Sequence, residues 1–322
     1  MNPFTNTTRH ALIIHDHVIR FVKAKRSSLR EIELMEERFI PQGVLQNGRI
    51  VELDTFATIL QEITDEWKLR KKKVMFTIPD SMAVIRRHQV PITVHQDEIR
   101  SHLYMELGES LHLPIEQPVF HAHEISANEE TRDMLIFAAP EENVVMISKL
   151  LKEVHIKPVV ADLVNLSLFR FYELMGFREE EHMMMLQVYP THVHATIFDH
   201  ELPLVMRTIP LESNSDKWKL DYGELRFTGE SEELLSGWRD AEDEIGKLLN
   251  FYQYNYQSGQ SSVGKIVVSG DHPLLEKLTE LAKQTFTQKV VGLFELEAET
   301  KRQERIEARF YEAVGLAMKK EV

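Results

Sequence analysis

The sequence predicts an α/β protein built from two related domains, the first of which is interrupted by a small α+β insert. Three observations lead there. The chain has 322 residues, 43% of them hydrophobic and 28% charged, enough for a substantial buried core and for about two domains. The order strand, strand, strand, helix, strand occurs twice, over residues 11–81 and again over 184–273, which points to duplication at long spacing. Between the two passes, residues 84–153 follow a different pattern of their own. The expected boundaries are 1–83 with 154–180 for the first domain, 84–153 for the insert and 181–322 for the second domain.

In the first pass, ALIIHDH, VIRFVKAKR and IELMEERFIP alternate apolar and polar residues around polar turns and read as an antiparallel meander ending at Pro41. After the Asn47-Gly48 turn, Asp54 opens a helix to about Leu69, with Phe56, Ile59, Leu60 and Ile63 on one face. KKKVMFTI is then a buried strand that stops at Pro79-Asp80. The insert reads as a strand (VIRRHQVPI), an acidic helix (DEIRSHLYMELGESL), a strand pair (VFHAHEI, MLIFAAP) and a helix (ENVVMISKLLKEV). Its size suits a semi-independent unit. Residues 157–163 return to strand character, and LVNLSLFRFYELMG is a helix ending near Gly176.

The second pass supplies MMMLQVYP, HVHATIFD and LPLVMRTIPL as strands, a helix from about Arg239 to Tyr256, and the buried strand KIVVSGD. Before that helix, residues 212–244 hold eleven acids and four bases. A segment of that composition reads first as a solvated loop or helix face, and second as a partner-facing patch.

Composition excludes several functions. Cysteine is absent, so there are no disulfides, thiolate metal sites or cysteine nucleophiles. The net charge of −13 opposes non-specific binding to nucleic acid or anionic lipid. No stretch reaches the roughly 20 apolar residues that span a bilayer, and the first apolar run is too short for a signal peptide. A cytoplasmic protein is expected. No P-loop, Rossmann glycine string, serine elbow or HExxH helix occurs, and no catalytic residue is assigned.

Three His-x-His pairs, His15/His17, His121/His123 and His192/His194, fall on expected strands, where alternation puts each pair on one face in a geometry compatible with zinc or nickel. They are expected in different parts of the fold, and no metal ligands are assigned. The one dense basic cluster is Lys68 and Arg70 to Lys73, followed by Arg86 and Arg87. Solvated edge charge is the default reading, and contact with an acidic peptide or lipid headgroups is the functional one.

Four stretches, in order, carry a family resemblance. They are VIRRHQVPI with DEIRSHLYMELGESLHLPIEQPVF; MLIFAAPEENVVMISKLLKEVHIKPVVADLVNLSLFRFYE; EIGKLLNFYQYNYQSGQSSVGKIVVSGDHPLLEKL; and ARFYEAVGLAMKK. Together they resemble the type IV pilus assembly protein PilM family, within the actin-like, ribonuclease H-like fold of sugar kinases, chaperone ATPases and cell-division proteins. The resemblance extends over nearly the whole chain and implies that fold.

In that fold two glycine-bearing hairpins approach the nucleotide phosphates, each with an aspartate serving magnesium or water. The family's first hairpin, G-I-D-I-G-S-S-S, falls here on residues from Ala11 to Val18, so its aspartate is Ile13 and its glycines are lost. The second, D-I-G-A, falls on Gln187 to Pro190, and a later glycine pair falls near Leu211-Glu212. Only the adenosine turn is partly kept, as Ser269, Gly270 and Asp271. Gly270 reads either as a site for close approach to a base or sugar, or as the turn residue that commonly follows a buried strand.

The resemblance therefore implies a pseudo-ATPase with no cofactor, ATP included. It implies an adaptor of a type IV pilus, competence or secretion platform, held at the inner face of the cell membrane through a protein partner. That partner is the cytoplasmic N-terminal peptide of a single-span PilN-like membrane protein, bound beside region 84–153; its contact residues are not assigned, and Arg86, Arg87 and the 68–73 cluster are the candidates to steer it. Motor-side components and self-association are further partners the family admits, and nucleic acid is not one. The alternatives are an active actin-like ATPase and a filament-forming protein of cell-division type.

Overall fold

The computed structural model describes residues 8–25, 28–177, 182–211, 217–221, 224–255, 262–301 and 304–320. The first three strands, β1 (Thr8–Ile14), β2 (Val18–Lys25) and β3 (Ile32–Phe39), form the expected meander. A short hairpin, β4 (Leu45–Gln46) and β5 (Arg49–Ile50), leads into α1 (Leu53–Glu66), whose apolar face of Phe56, Ile59, Leu60 and Ile63 is buried. Next comes β6 (Lys73–Ile78). The insert contributes β7 (Val84–Pro91), α2 (Ile99–Glu106), β8 (Pro118–Ala127), β9 (Thr131–Pro140) and α3 (Glu141–Glu153). The chain continues through β10 (Lys157–Leu163) and α4 (Val164–Leu174). The second pass is β11 (His182–Val188), β12 (His192–Asp199), β13 (Leu202–Pro210), β14 (Trp218–Asp221), β15 (Glu224–Phe227), α5 (Ser231–Asn255), β16 (Val263–Gly270), α6 (Leu275–Thr285), β17 (Lys289–Gly292) and α7 (Tyr311–Ala317).

Duplication is visible strand by strand. One five-stranded sheet runs β3-β2-β1-β6-β10 and the other β13-β12-β11-β16-β17. In each, the meander is antiparallel and the last two strands join in parallel. The parallel strands β6 and β16 are buried almost throughout, as strands covered on both faces must be.

By compactness the chain divides into a main body, Met1–Ser81 with Leu151–Val322, and an insert, Met82–Leu150. The sequence reading separated 181–322 from the first domain; the structure joins both halves in one unit because they share a core. Ala11, Ile13 and Met75 of the first sheet, Leu168 and Phe171 of α4, Met183, Met185 and Val267 of the second sheet, and Val314 of α7 belong to one apolar cluster. A second cluster, built around Trp238, Ile245, Val268 and Leu278, lies wholly in the second half. The two halves therefore share hydrophobic burial that neither could complete alone.

Helix α7 is central to that shared core. A Cβ on Gly315 would fall 1.8 Å from the carbonyl oxygen of Ser167, so only glycine lets α7 cross α4 this closely. Arg170 donates to the Gly315 carbonyl at 2.9 Å, and Arg9 donates to the carbonyls of Ala317 and Lys319. These bonds satisfy acceptors that a helix C-terminus leaves open.

The insert has its own core. Its sheet runs β7-β9-β8, and Val90, Phe120, Met134, Ile136 and Ala138 pack with Ile99 and Leu103 of α2 and with Leu111. Several elements depart from the sequence reading. The acidic segment, expected as loop or helix face, contains the hairpin β14–β15, pinned by the buried Trp218. Helix α5 begins at Ser231, eight residues before the expected start, and Tyr256 lies outside the described residues. Helix α6 and strand β17 were not anticipated.

Candidate functional site: a buried polar junction between the two halves

The connection between β1 and β2 is His15-Asp16-His17. His15 N–H donates to the Val18 carbonyl at 2.9 Å, and Gly48 N–H donates to the Asp16 carboxylate at 2.8 Å. The equivalent connection in the second half is Tyr189-Pro190-Thr191, closed by Tyr189 N–H donating to the His192 carbonyl at 2.9 Å. A third loop follows β16 at Ser269-Gly270-Asp271. Gly270 has φ +126°, and a Cβ there would fall 2.1 Å from the Val188 carbonyl oxygen. The same carbonyl accepts from Asp271 N–H at 3.2 Å and His272 N–H at 3.1 Å. Glycine here permits backbone to lie against backbone.

Side chains from these loops and from α7 form two hydrogen-bonded groups, one buried around Glu312 and one partly buried around Asp271, which meet through the stacked rings of His15 and His17. His15 Nε2 lies 2.7 Å from Glu312 Oε2 of α7. Tyr189 donates its hydroxyl to Glu312 Oε1 at 2.6 Å, and the Gln187 amide donates to Glu312 at 3.1 Å and to the Tyr189 hydroxyl at 3.0 Å. His17 Nε2 and Arg20 Nη2 each lie 2.7 Å from Asp271 Oδ2. Arg20 also donates from Nε to Glu37 at 3.2 Å, and Arg309 meets the other oxygen of Glu37 at 2.7 Å. Tyr189 sits among four imidazoles, with ring centroids 4.6 Å from His15, 6.4 Å from His17, 5.1 Å from His192 and 5.6 Å from His194.

Burial and pairing set the charges. Burial works against the His15 imidazolium, but the charge and hydrogen bond of Glu312 overcome it and raise the His15 pKa above 6.5. Burial also works against the Glu312 and Asp271 carboxylates. His15 nevertheless holds Glu312 below the usual glutamate value, and His17 with Arg20 holds Asp271 well below the aspartate value. Histidines without a carboxylate partner go the other way: burial lowers His192 to about 3 and His194 well below 6.5. Asp80, just after β6, accepts from the first two N–H groups of α4 at 2.9 and 2.8 Å, yet burial raises its pKa to about 7.

The sequence-derived site residues fall as follows. Ser269 is buried on β16, paired with Gln187 across the ladder, and Asp271 is committed to His17 and Arg20. Ile13, at the first aligned aspartate position, lies in the shared core, and Gln187, at the second, lies in the polar network. Glu212 of the later aligned pair lies outside the described residues. Arg86 and Arg87 are exposed on β7, Arg87 pairing with Asp133 and Arg86 bonding the Ile85 carbonyl at 3.0 Å. The basic run is divided, since Lys68 and Arg70 to Lys73 belong to the main body while Arg86 and Arg87 belong to the insert.

The His-x-His reading needs correction. His15 and His17 sit in a turn, not on a strand, and they converge with His192 and His194 instead of lying apart. Sequence reasoning could not foresee this, because only the doubled topology brings the two connections together. Arg20, Tyr189 and Glu312 went unnoticed as site residues. The available signal was a charge within an apolar run: Arg20 in VIRFV and Glu312 in FYEAVGLA. Among the described residues, no group of three or more His, Asp or Glu has the geometry to hold a metal ion.

Residues 12–200 match the protein family described as type IV pilus assembly protein PilM. The chain belongs to that family. No curated protein matches it in sequence. Among solved structures it is similar to the PilM-PilN type IV pilus biogenesis complex, with a TM-score of 0.76 and 18% identity, covering 97% of this chain and 98% of that one. It is also similar to the ethanolamine utilization protein EutJ from Carboxydothermus hydrogenoformans, with a TM-score of 0.54 and 9% identity over 98% and 91% of the two chains. A further likeness is to the cytoplasmic domain of EpsL, an inner-membrane component of the type II secretion system of Vibrio cholerae, with a TM-score of 0.52 and 9% identity over 98% and 97%. The fold of this PilM family member is the duplicated actin-like one. Among the described residues, no helix is long and apolar enough to cross a membrane.

Proposed function

We propose that this PilM family member is an adaptor of a type IV pilus assembly platform, that it binds the N-terminal cytoplasmic tail of a single-span PilN-like inner-membrane protein, and that it does so without hydrolysing ATP. Family membership together with likeness along the whole chain to the PilM-PilN complex carries the partner reading. The insert offers a suitable surface. A peptide that adds to a sheet edge gains backbone hydrogen bonds while alternate side chains fill pockets, and β7, at one edge of the insert sheet, carries the exposed Arg86 and Arg87.

The buried junction supports the absence of hydrolysis. Magnesium and phosphate need free carboxylate oxygens and open backbone N–H groups. Around the junction the carboxylates are engaged: Asp16 with Gly48, Glu312 with His15, Tyr189 and Gln187, and Asp271 with His17 and Arg20. A triphosphate would have to displace buried pairs without a glycine loop to receive it.

Calorimetric titration of the full chain with the N-terminal tail peptide of the PilN-like protein tests the partner. Saturable binding that weakens with R86E/R87E is expected, and no binding would remove the adaptor reading. Titration with ATP and magnesium, with a phosphate-release assay alongside, tests the other half of the proposal. Turnover above a buffer blank would refute it.

A further inference from the structure

We propose that the His15–Glu312 and His17–Asp271 pairs form a proton-dependent latch that holds the two halves of the main body together in place of a nucleotide, and that it loosens when His15 loses its proton. Position is the first ground. The β1–β2 turn belongs to the first half, whereas Asp271 and Glu312 follow β16 and lie on α7; both contacts measure 2.7 Å, the His15–Glu312 one buried and the His17–Asp271 one partly buried. The second ground is energetic. A buried ion pair roughly offsets its own desolvation, while removal of one charge leaves the other uncompensated. The shared apolar core keeps the halves in contact, while the closure of the polar junction above it turns on whether His15 carries its proton. Asp271 adds to this balance by placing both partners on Oδ2, leaving Oδ1 buried without a hydrogen-bond partner.

Every neighbouring element contributes a group that faces His15 or its partners. They are Arg20 from β2, Glu37 from β3, Asp80 after β6, Gln187 and Tyr189 from the end of β11, His192 and His194 from β12, Asp271 after β16, Arg309 before α7 and Glu312 within it. Arg20 and Arg309 keep their charge throughout the accessible pH range. His192 and His194 are already neutral near neutral pH. His15 is thus the imidazole placed to change the charge that Glu312 meets.

The sign follows. Because the folded His15 pKa is raised, its contribution is complete below 6.5 and is lost as pH rises through the folded value. The folded Glu312 pKa is lowered, so its contribution is present above 4.5 and is lost as pH falls through the folded value. The latch is at full strength between pH 4.5 and 6.5. Asp80, neutral in the fold up to about 7, has its own slope across the whole of this window, so comparison with H15Q isolates the His15 share.

The test is NMR of the full chain with labelled histidine, titrated from pH 5 to 9, together with hydrogen exchange of the junction amides. His15, assigned through H15Q, should titrate above the ordinary histidine value and move toward it in E312Q. Exchange at the His15, Tyr189, Asp271 and His272 amides should accelerate together through that titration, by about tenfold beyond the intrinsic base-catalysed rise for each unit by which His15 exceeds its unfolded value. The extra acceleration should vanish in H15Q. Should H15Q fail to fold, H15N serves for the assignment, and should E312Q fail, the wild-type titration of His15 decides alone. A His15 that titrates at or below the ordinary value, or junction amides whose exchange follows only the intrinsic rise, would overturn the latch.

Discussion

Replacing Gly270 with alanine should cost the main body about 3–5 kcal/mol of stability. The residue sits at φ +126°, and forcing a non-glycine residue into sparsely populated backbone costs about 1–3 kcal/mol. The new Cβ would lie 2.1 Å from the Val188 carbonyl oxygen, so that carbonyl must retreat. It accepts from both Asp271 and His272 N–H, and each lost bond is worth about 1 kcal/mol. The total is a large share of the 5–15 kcal/mol that typically holds a domain. Urea unfolding followed by tryptophan fluorescence reads this directly: all 3 tryptophans, Trp67, Trp218 and Trp238, lie in the main body. Gly246 is the control. It lies inside α5 with nothing within 4 Å of an added Cβ, so G246A should stabilise by about 0.5–1 kcal/mol. A Gly270 retained only for approach to a ligand would leave the free protein unaffected. A loss below about 1 kcal/mol would therefore refute the argument that backbone packing demands this glycine.

Three further outcomes are expected. L103A, which empties the centre of the insert core, should cost about 2–5 kcal/mol there. Because the insert contains no tryptophan, it should melt by circular dichroism before the fluorescence transition moves, and a shift of the fluorescence midpoint by the same amount would count against separate cores. G315A should destabilise the α4–α7 crossing by about 1–3 kcal/mol through overpacking, seen as faster amide exchange in α7; unchanged exchange would deny that close contact. Asp80, raised to about 7 by burial, makes wild-type stability fall as pH rises from 3.8 to 7, by up to about 1.4 kcal/mol per unit. D80N should flatten that slope in a plot of Tm against pH, and an unaltered slope would place Asp80 at its ordinary pKa.

Much of the fold was legible because its signals are local. The alternation in ALIIHDH and VIRFVKAKR, the apolar face of α1 and the buried run KIVVSGD each fix an element within a few residues, and their repetition betrays the duplication. Helix α6 was readable, since Leu275, Leu278 and Ala282 recur on one face, whereas a short strand such as KVVG is covered by tertiary packing that no window of sequence displays. The acidic segment was legible in part: its later residues lie on helix α5 with Glu232, Asp240 and Asp243 exposed, whereas charge suggested solvent where the hairpin β14–β15 forms with Trp218 buried. The junction was the least legible part. His17 and Asp271 stand 254 residues apart and His15 and Glu312 stand 297 apart; it is the shared core, in which α7 packs on β1 beside the second sheet, that brings them together.

The placement of α7 bears on how the protein is made. Residues of β1 pack against Val314 and its neighbours in one apolar cluster, so β1 lacks this cover until α7 has been polymerised. At 5–20 residues per second, the roughly 300 residues between them take on the order of 15–60 s. Throughout that interval the nascent first half exposes an unfinished apolar surface, a natural target for chaperones. A product terminated before residue 311 would keep that surface permanently and be removed by proteases.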